Sequence, residues 1–246
     1  MRYFKCLDAQ DANIIASRKI QYKVPHLNSK GKIVAGNKMR KLRSIPRICT
    51  RGYHLAKETH IIEWLSSNVY EAIGFGLSDE GQDKIAFQQV QLVKKMQCDN
   101  KIICTILIEQ IIHLYHEYFQ KGLYKSNRSI FLWILLGIVN NIDDWKKFEH
   151  VELNRMDMAL ASIIETNPQS FFSNYCTAIT EVAYSVGLKS ECTIKPDYTN
   201  YIAINYDERK RLNDRTLEYL DCDVNVDDAI RVMRCSLKEE INKEEE

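Results

Sequence analysis

The residue best suited to chemistry in this 246-residue chain is the histidine of Gly52-Tyr53-His54. A glycine two positions earlier lets the backbone turn sharply and expose an imidazole that titrates near neutral pH. The plainer account, which we prefer, is that Gly52 serves a turn while His54 hydrogen-bonds to a neighbouring loop. Cys49 stands two residues from both Arg47 and Arg51, whose charges would activate its thiol if they approached it, although a structural thiol is the expected role. His113 and His116 lie three apart on a stretch that also holds Glu109 and Glu117, a spacing that brings two imidazoles within reach of one ion. Their order is not His-Glu-x-x-His and no third ligand is apparent. With Tyr115, Tyr118 and Phe119 interleaved, a partly exposed aromatic helix face is expected there, and no metal. Gly-x-Ser-x-Gly is absent, and Gly74-Phe75-Gly76 lacks the later glycine and following helix of a phosphate loop.

Charge is the stronger signal. From Ala12 to Lys57 the chain has no Asp or Glu and twelve Lys or Arg, whereas Glu218 to Glu246 holds ten acids, so a formal net charge of +1 hides a lopsided molecule. Such asymmetry bears on partners rather than on fold. If Lys38, Arg40, Lys41, Arg43 and Arg47 share a face with Lys19, Lys23, Lys30 and Lys32, and with Tyr22 and His26 among them, they suit a phosphate backbone followed by charge with some stacking. The alternative is that the charges lie on solvated loops and pair with the acidic C-terminal helix or with an acidic protein. Nothing in the stretch is similar to a helix-turn-helix or an RNA-binding signature, so sequence-specific readout is not expected.

Composition narrows the setting. Hydrophobic residues make up 45% and charged residues 27%, with only 4 Pro and 9 Gly, which suits an ordered globular chain able to bury a core. The opening Met-Arg-Tyr-Phe-Lys places charge before any apolar run, so no secretory leader is expected. Eight cysteines without Cys-x-x-Cys spacing read as reduced thiols of a cytoplasmic protein. The apolar run from Ile130 reaches Asn140 within ten residues, against the roughly 20 that a bilayer span needs. It reads as a helix buried in protein.

The elements that must position these residues follow from hydrophobic period. Strands are expected at Arg2–Leu7, Val69–Gly74 and Lys84–Lys95, turn chemistry at Asn28–Lys32, a hairpin loop at Ser78–Asp83, and one helix at Glu58–Leu65 whose Ile61, Ile62, Trp64 and Leu65 lie close to Leu55. From Lys101 the period becomes helical. Helices are expected at Lys101–Lys121 with Gly122 as C-cap, from Ser126 or Asn127 to Asn141, at Leu153–Glu165, at Gln169–Val186, at Tyr206–Leu220 and at Asp227–Asn242, with one or two short strands in Thr193–Asn205. The fold class is therefore α+β: a β-rich module with basic loops over 1–97, a helical module over 98–190, and a mixed C-terminal section over 191–246 that ends in an acidic helix.

One segment carries a resemblance. Cys49-Thr50-Arg51-Gly52-Tyr53-His54-Leu55, then Trp64-Leu65, Val69-Tyr70-Glu71-Ala72, Asp83-Lys84-Ile85-Ala86 and Val90-Gln91-Leu92-Val93, with the opening Tyr3-Phe4-Lys5-Cys6-Leu7-Asp8, resemble a family of uncharacterised bacterial and phage proteins. Its members share a Cys-x-x-Gly-aromatic-His segment, a Trp-Leu helix and a closing strand. The likeness covers about a fifth of the chain, and Gln91 stands where the family tends to carry Arg. It implies a phage or prophage setting, hence a host cytoplasm, and no particular activity. In layout the same segment is also similar to small ADP-ribosyltransferase domains, which would imply NAD as cofactor and Tyr53, His54 and Glu71, or Glu80, near a cleft.

The expected function is that of a non-enzymatic accessory protein which binds nucleic acid or an acidic host protein through its basic N-terminal surface, without cofactor or membrane. An NAD-using ADP-ribosyltransferase-like enzyme is the alternative. A homo-oligomer, joined by the apolar stripe Ala229, Ile230, Met233, Leu237 and Ile241, is a further possibility.

Overall fold

The computed structural model describes residues 1–7, 10–12, 20–66, 68–120, 125–142 and 206–245. Strands occupy the N-terminal part, and the helices lie mostly after it, giving an α+β fold. The chain divides into two compact units, Met1–Asp99 with Asn213–Asp223, and Asn100–Leu212 with Val224–Glu246. The helices and strands expected within 153–205 lie outside the described residues, as do Arg18 and Lys19.

In the first unit, four antiparallel strands close on themselves. β1 (Tyr3–Leu7) pairs with β4 (Tyr53–Lys57) on one side and with β5 (Asn68–Glu80) on the other, and β6 (Lys84–Lys95) joins β4 to β5. Side chains alternate across a strand, so each register pair commits its two residues to the same face. Tyr53 opposite Phe87, Leu55 opposite Ile85, and Ala72 opposite Leu92 all face inward. Leu7, Tyr70 and Val90 complete this interior, with Tyr22 and Met39 arriving from the segment between β1 and β4. The residues between them, Phe4, Cys6, Ala56, Val69 and Ala86, are buried as well. β1 and β4 carry a 3₁₀ helix, Glu58–Trp64, whose Ile61 and Ile62 are buried.

β5 and β6 are far longer than the strands that flank them, and β5 continues to Glu80. The hairpin turn is therefore Gly81–Asp83 instead of the expected Ser78–Asp83. Polar Ser78, Asp79 and Glu80 read as loop residues in sequence, yet their backbones pair with Phe87, Ala86 and Ile85. Register shifts after Glu71 and after Phe75 bend the hairpin, as bulges do in strands that must curve. A second, two-stranded hairpin, β2 (His26–Leu27) with β3 (Ile33–Val34), is closed by Asn28, whose Oδ1 accepts the N–H groups of Lys30 and Lys32.

The second unit is built from α1 (Asn100–Leu114), α2 (Lys125–Asn141), the first residues of α3 (Tyr206–Leu220) and α4 (Val226–Glu245). α1 gives way to a π-helical turn at Tyr115–Phe119 rather than running unbroken to Lys121. Within that turn Tyr115 is buried, and its ring stacks on Phe131 of α2 at 5.2 Å. α4 packs on α2 and α1, burying Ile230, Met233, Leu237 and Ile241. The stripe expected to seat against a second copy is thus covered by the chain's own helices, each such side chain contributing about 1.5–3 kcal/mol. None of the described helices is long and apolar enough to cross a membrane.

Candidate functional site

The basic segment is a strap laid along β6. Its amides step in threes while the strand steps in twos: Gly36 donates to the carbonyl of Leu92, Met39 to that of Val90 and Leu42 to that of Gln88, at 2.8, 2.8 and 3.0 Å. Three glutamine amides return the bond. Gln91 donates to Gly36 O at 3.0 Å, Gln89 to Met39 O at 2.7 Å, and Gln88 to Ser44 O at 3.5 Å. Gly36 lies against the backbone of Lys23 and Val24, and any Cβ there would overlap the carbonyl of Lys23.

This period of three decides where the charges go. Gly36 and Met39 are buried and Leu42 packs partly on the barrel core, so Lys38, Arg40, Lys41 and Arg43 are turned outward and exposed. Arg47, also exposed, closes a tight turn through its backbone bonds with Arg51. Tyr53, inside the barrel, donates its hydroxyl to the carbonyl of Arg40 at 2.9 Å and so fixes the strap midway. The ammonium of Lys38 lies 4.0 Å over the ring of Phe75 on β5. Among the described residues, Lys30, Lys32, Lys38, Arg40, Lys41, Arg43 and Arg47 form no ion pair with a carboxylate, whereas Arg2, Lys57, Lys84 and Lys94 of the same unit all do.

One aromatic expectation is corrected. Tyr22 does not stand among the lysines as a stacking platform: it is buried, packs edge-on against Tyr53 at 6.2 Å, and burial raises its hydroxyl pKa. His26 is exposed on β2, within the other hairpin.

Tyr53, His54 and Glu71 are engaged in separate contacts. Tyr53 points into the barrel core, and burial raises its pKa. His54, the next residue along the strand, accepts the N–H of Cys49 through Nε2 at 3.0 Å. That bond needs an unprotonated Nε2, and the pKa of His54 is lowered chiefly by burial and then by the charges of Lys5 and Lys84. Glu71 pairs with Arg2, which is held bidentately by Asp221 at 2.7 and 2.9 Å. Glu80 pairs with Lys57 at 2.7 Å. Cys49 is exposed at a positive φ of 62°. His113 and His116 fall on opposite sides of the change from α1 to the π turn, and no group of three possible metal ligands occurs among the described residues.

Composition missed the glutamines. In Gln88-Gln89-Val90-Gln91 they read as the polar members of a strand, yet they are the side chains that hold the strap. A signal was present in Gly36-Asn37-Lys38-Met39-Arg40-Lys41-Leu42-Arg43, where anchors recur every third residue with cations between them. No family model, no curated protein and no solved structure matches the chain.

Proposed function

We propose that the chain is an accessory protein which binds an anionic macromolecule, a nucleic acid or an acidic protein, through the strap formed by Lys38, Arg40, Lys41, Arg43 and Arg47. The phage or prophage setting implied by the Cys49–His54 segment belongs to the same proposal, as does a role without catalysis. One observation carries it: the strap's cations stand exposed, without a described carboxylate, on a backbone gripped by hydrogen bonds from β6. A cation already held in place loses less conformational freedom on binding than one on a free loop. Attraction by charge suits such an exposed surface better than sequence readout.

The test is the salt dependence of binding to a labelled single-stranded oligonucleotide and to polyglutamate. With five contacts, affinity for the oligonucleotide is expected to fall about a hundredfold between 50 and 200 mM salt. Reversal of Arg40, Lys41 and Arg43 to Glu should abolish it. Salt-independent binding, or none to either polyanion, would overturn the reading.

A further inference from the structure

Among the described residues, one edge of β5 is only partly covered by the barrel. β1 covers β5 only from Asn68 to Ala72, and β6 occupies the other edge of β5, so among the described residues the edge beyond Ala72 has no ladder partner. The corresponding stretch of β6 is covered, because the strap occupies it. Exposed edges usually carry charges, prolines or bulges that discourage pairing. From Ile73 to Leu77 there is no charge and no proline, and Ile73 and Leu77 are 46% and 55% exposed. The bulge between Phe75 and Ser78, where Leu77 N–H turns to Gln88 Oε1, ends the regular edge and keeps any added strand short.

Resting on the polyanion-binding reading, we infer that this edge receives a short extended segment of an acidic protein, which adds to β5 as a further antiparallel or parallel strand. Main-chain hydrogen bonds give such additions their affinity and alternate side chains give their specificity. Ala72 and Gly74 face the core, Gly74 against the Phe87 ring, so Ile73 and Phe75 face outward. A strand added about 4.8 Å beyond β5 sets its own outward side chains beside these two. There the Lys38 ammonium, 4.0 Å over Phe75 and without a described carboxylate, supplies the charge that an acidic side chain complements. A second copy of this chain is the poorer occupant, since pairing β5 with β5 brings one Lys38 towards another. A nucleic acid has no peptide backbone to complete the ladder.

The experiment uses the intact protein and a labelled eight-residue peptide of alternating Val and Glu, with the same peptide N-methylated at alternate residues as its partner probe. Binding of the unmodified peptide should protect the amides of Ile73 to Phe75 from hydrogen exchange. N-methylation should weaken it at least about tenfold, the effect of one lost hydrogen bond, and Lys38→Ala should weaken it further without changing the free protein's exchange pattern. Equal binding of both peptides, protection confined to the strap, or concentration-dependent protection of the same amides without peptide would overturn the inference. If oligonucleotide binding survives in any of those cases the strap still binds polyanions and only strand addition falls; if neither peptide nor oligonucleotide binds, the proposed function falls with it.

Discussion

At the scale of single residues, the position most at odds with its surroundings is Lys5. It lies on β1, donates to the carbonyl of His54 at 3.1 Å and sits 5.1 Å over the ring of Tyr22, with no carboxylate partner among the described residues. Burial lowers its pKa from 10.5 to about 8. The folded protein therefore binds fewer protons than the unfolded chain between about pH 8 and 10.5, so stability rises with pH in that window. The ammonium costs stability below about pH 8 and that cost is relieved above it, by at most about 3 kcal/mol at 1.36 kcal/mol per unit. From about pH 9 the pKa of Cys98, raised by burial to about 12, acts in the opposite direction and offsets part of this gain, and above about pH 10 the raised pKa values of Tyr22, Tyr53, Tyr70 and Tyr115 do the same. Urea denaturation at pH 7 and pH 9.5 should show the natural protein gaining stability, while Lys5→Met is more stable at pH 7 and shows a flatter profile. A variant with the same pH slope as the natural protein would show that Lys5 is not the group responsible.

At the scale of elements, the barrel depends on a close approach inside the long hairpin. A Cβ at Gly74 would overlap the ring of Phe87, which also meets Tyr3 edge-on at 5.6 Å. Overfilling a packed interior costs about 1–3 kcal/mol, so Gly74→Ala is expected to lower the denaturation midpoint accordingly. Phe87→Leu in the same chain should recover part of the loss, because residues in contact couple. Additive effects in that cycle would place the strain elsewhere. This contact was not legible in the sequence. Gly74-Phe75-Gly76 shows that a loop or bulge is near, but which ring lies over which glycine depends on the register of β5 against β6. The strap is similar: cations between apolar anchors are readable at a spacing of three, whereas the amides that seize the anchors come from a strand about fifty residues away.

At the scale of the whole molecule, the first unit is completed by residues distant in sequence. Asn213, buried, accepts the N–H of Ile62 through Oδ1 at 3.1 Å, Gln97 N–H reaches the carbonyl of Leu220, and Asp221 holds Arg2. Asn213→Ala leaves a buried amide without that acceptor, which costs about 1–3 kcal/mol. Thermal melting followed by hydrogen exchange of the barrel amides should register that loss, and an unchanged melt would show that the segment is dispensable to this unit. Amino-acid order alone determined the α+β class, the places of β1 and β6, the end of α2, the extent of α3 and the start of α4 to within a residue, because hydrophobic period and helix-end signals are local; α2 begins at Lys125, ahead of the Ser126 or Asn127 expected as its cap, and α4 runs on to Glu245 past the expected Asn242. It also determined that residues 12–57 carry twelve cations and no acid. Tertiary structure alone decided that Tyr22 enters the core, that the α4 stripe is already covered, that Tyr53 and His54 are engaged in different contacts, and that no described strand pairs with the edge of β5 beyond Ala72. Each of these depends on which distant segment fills a given edge or face, and that choice is made by packing the whole chain at once.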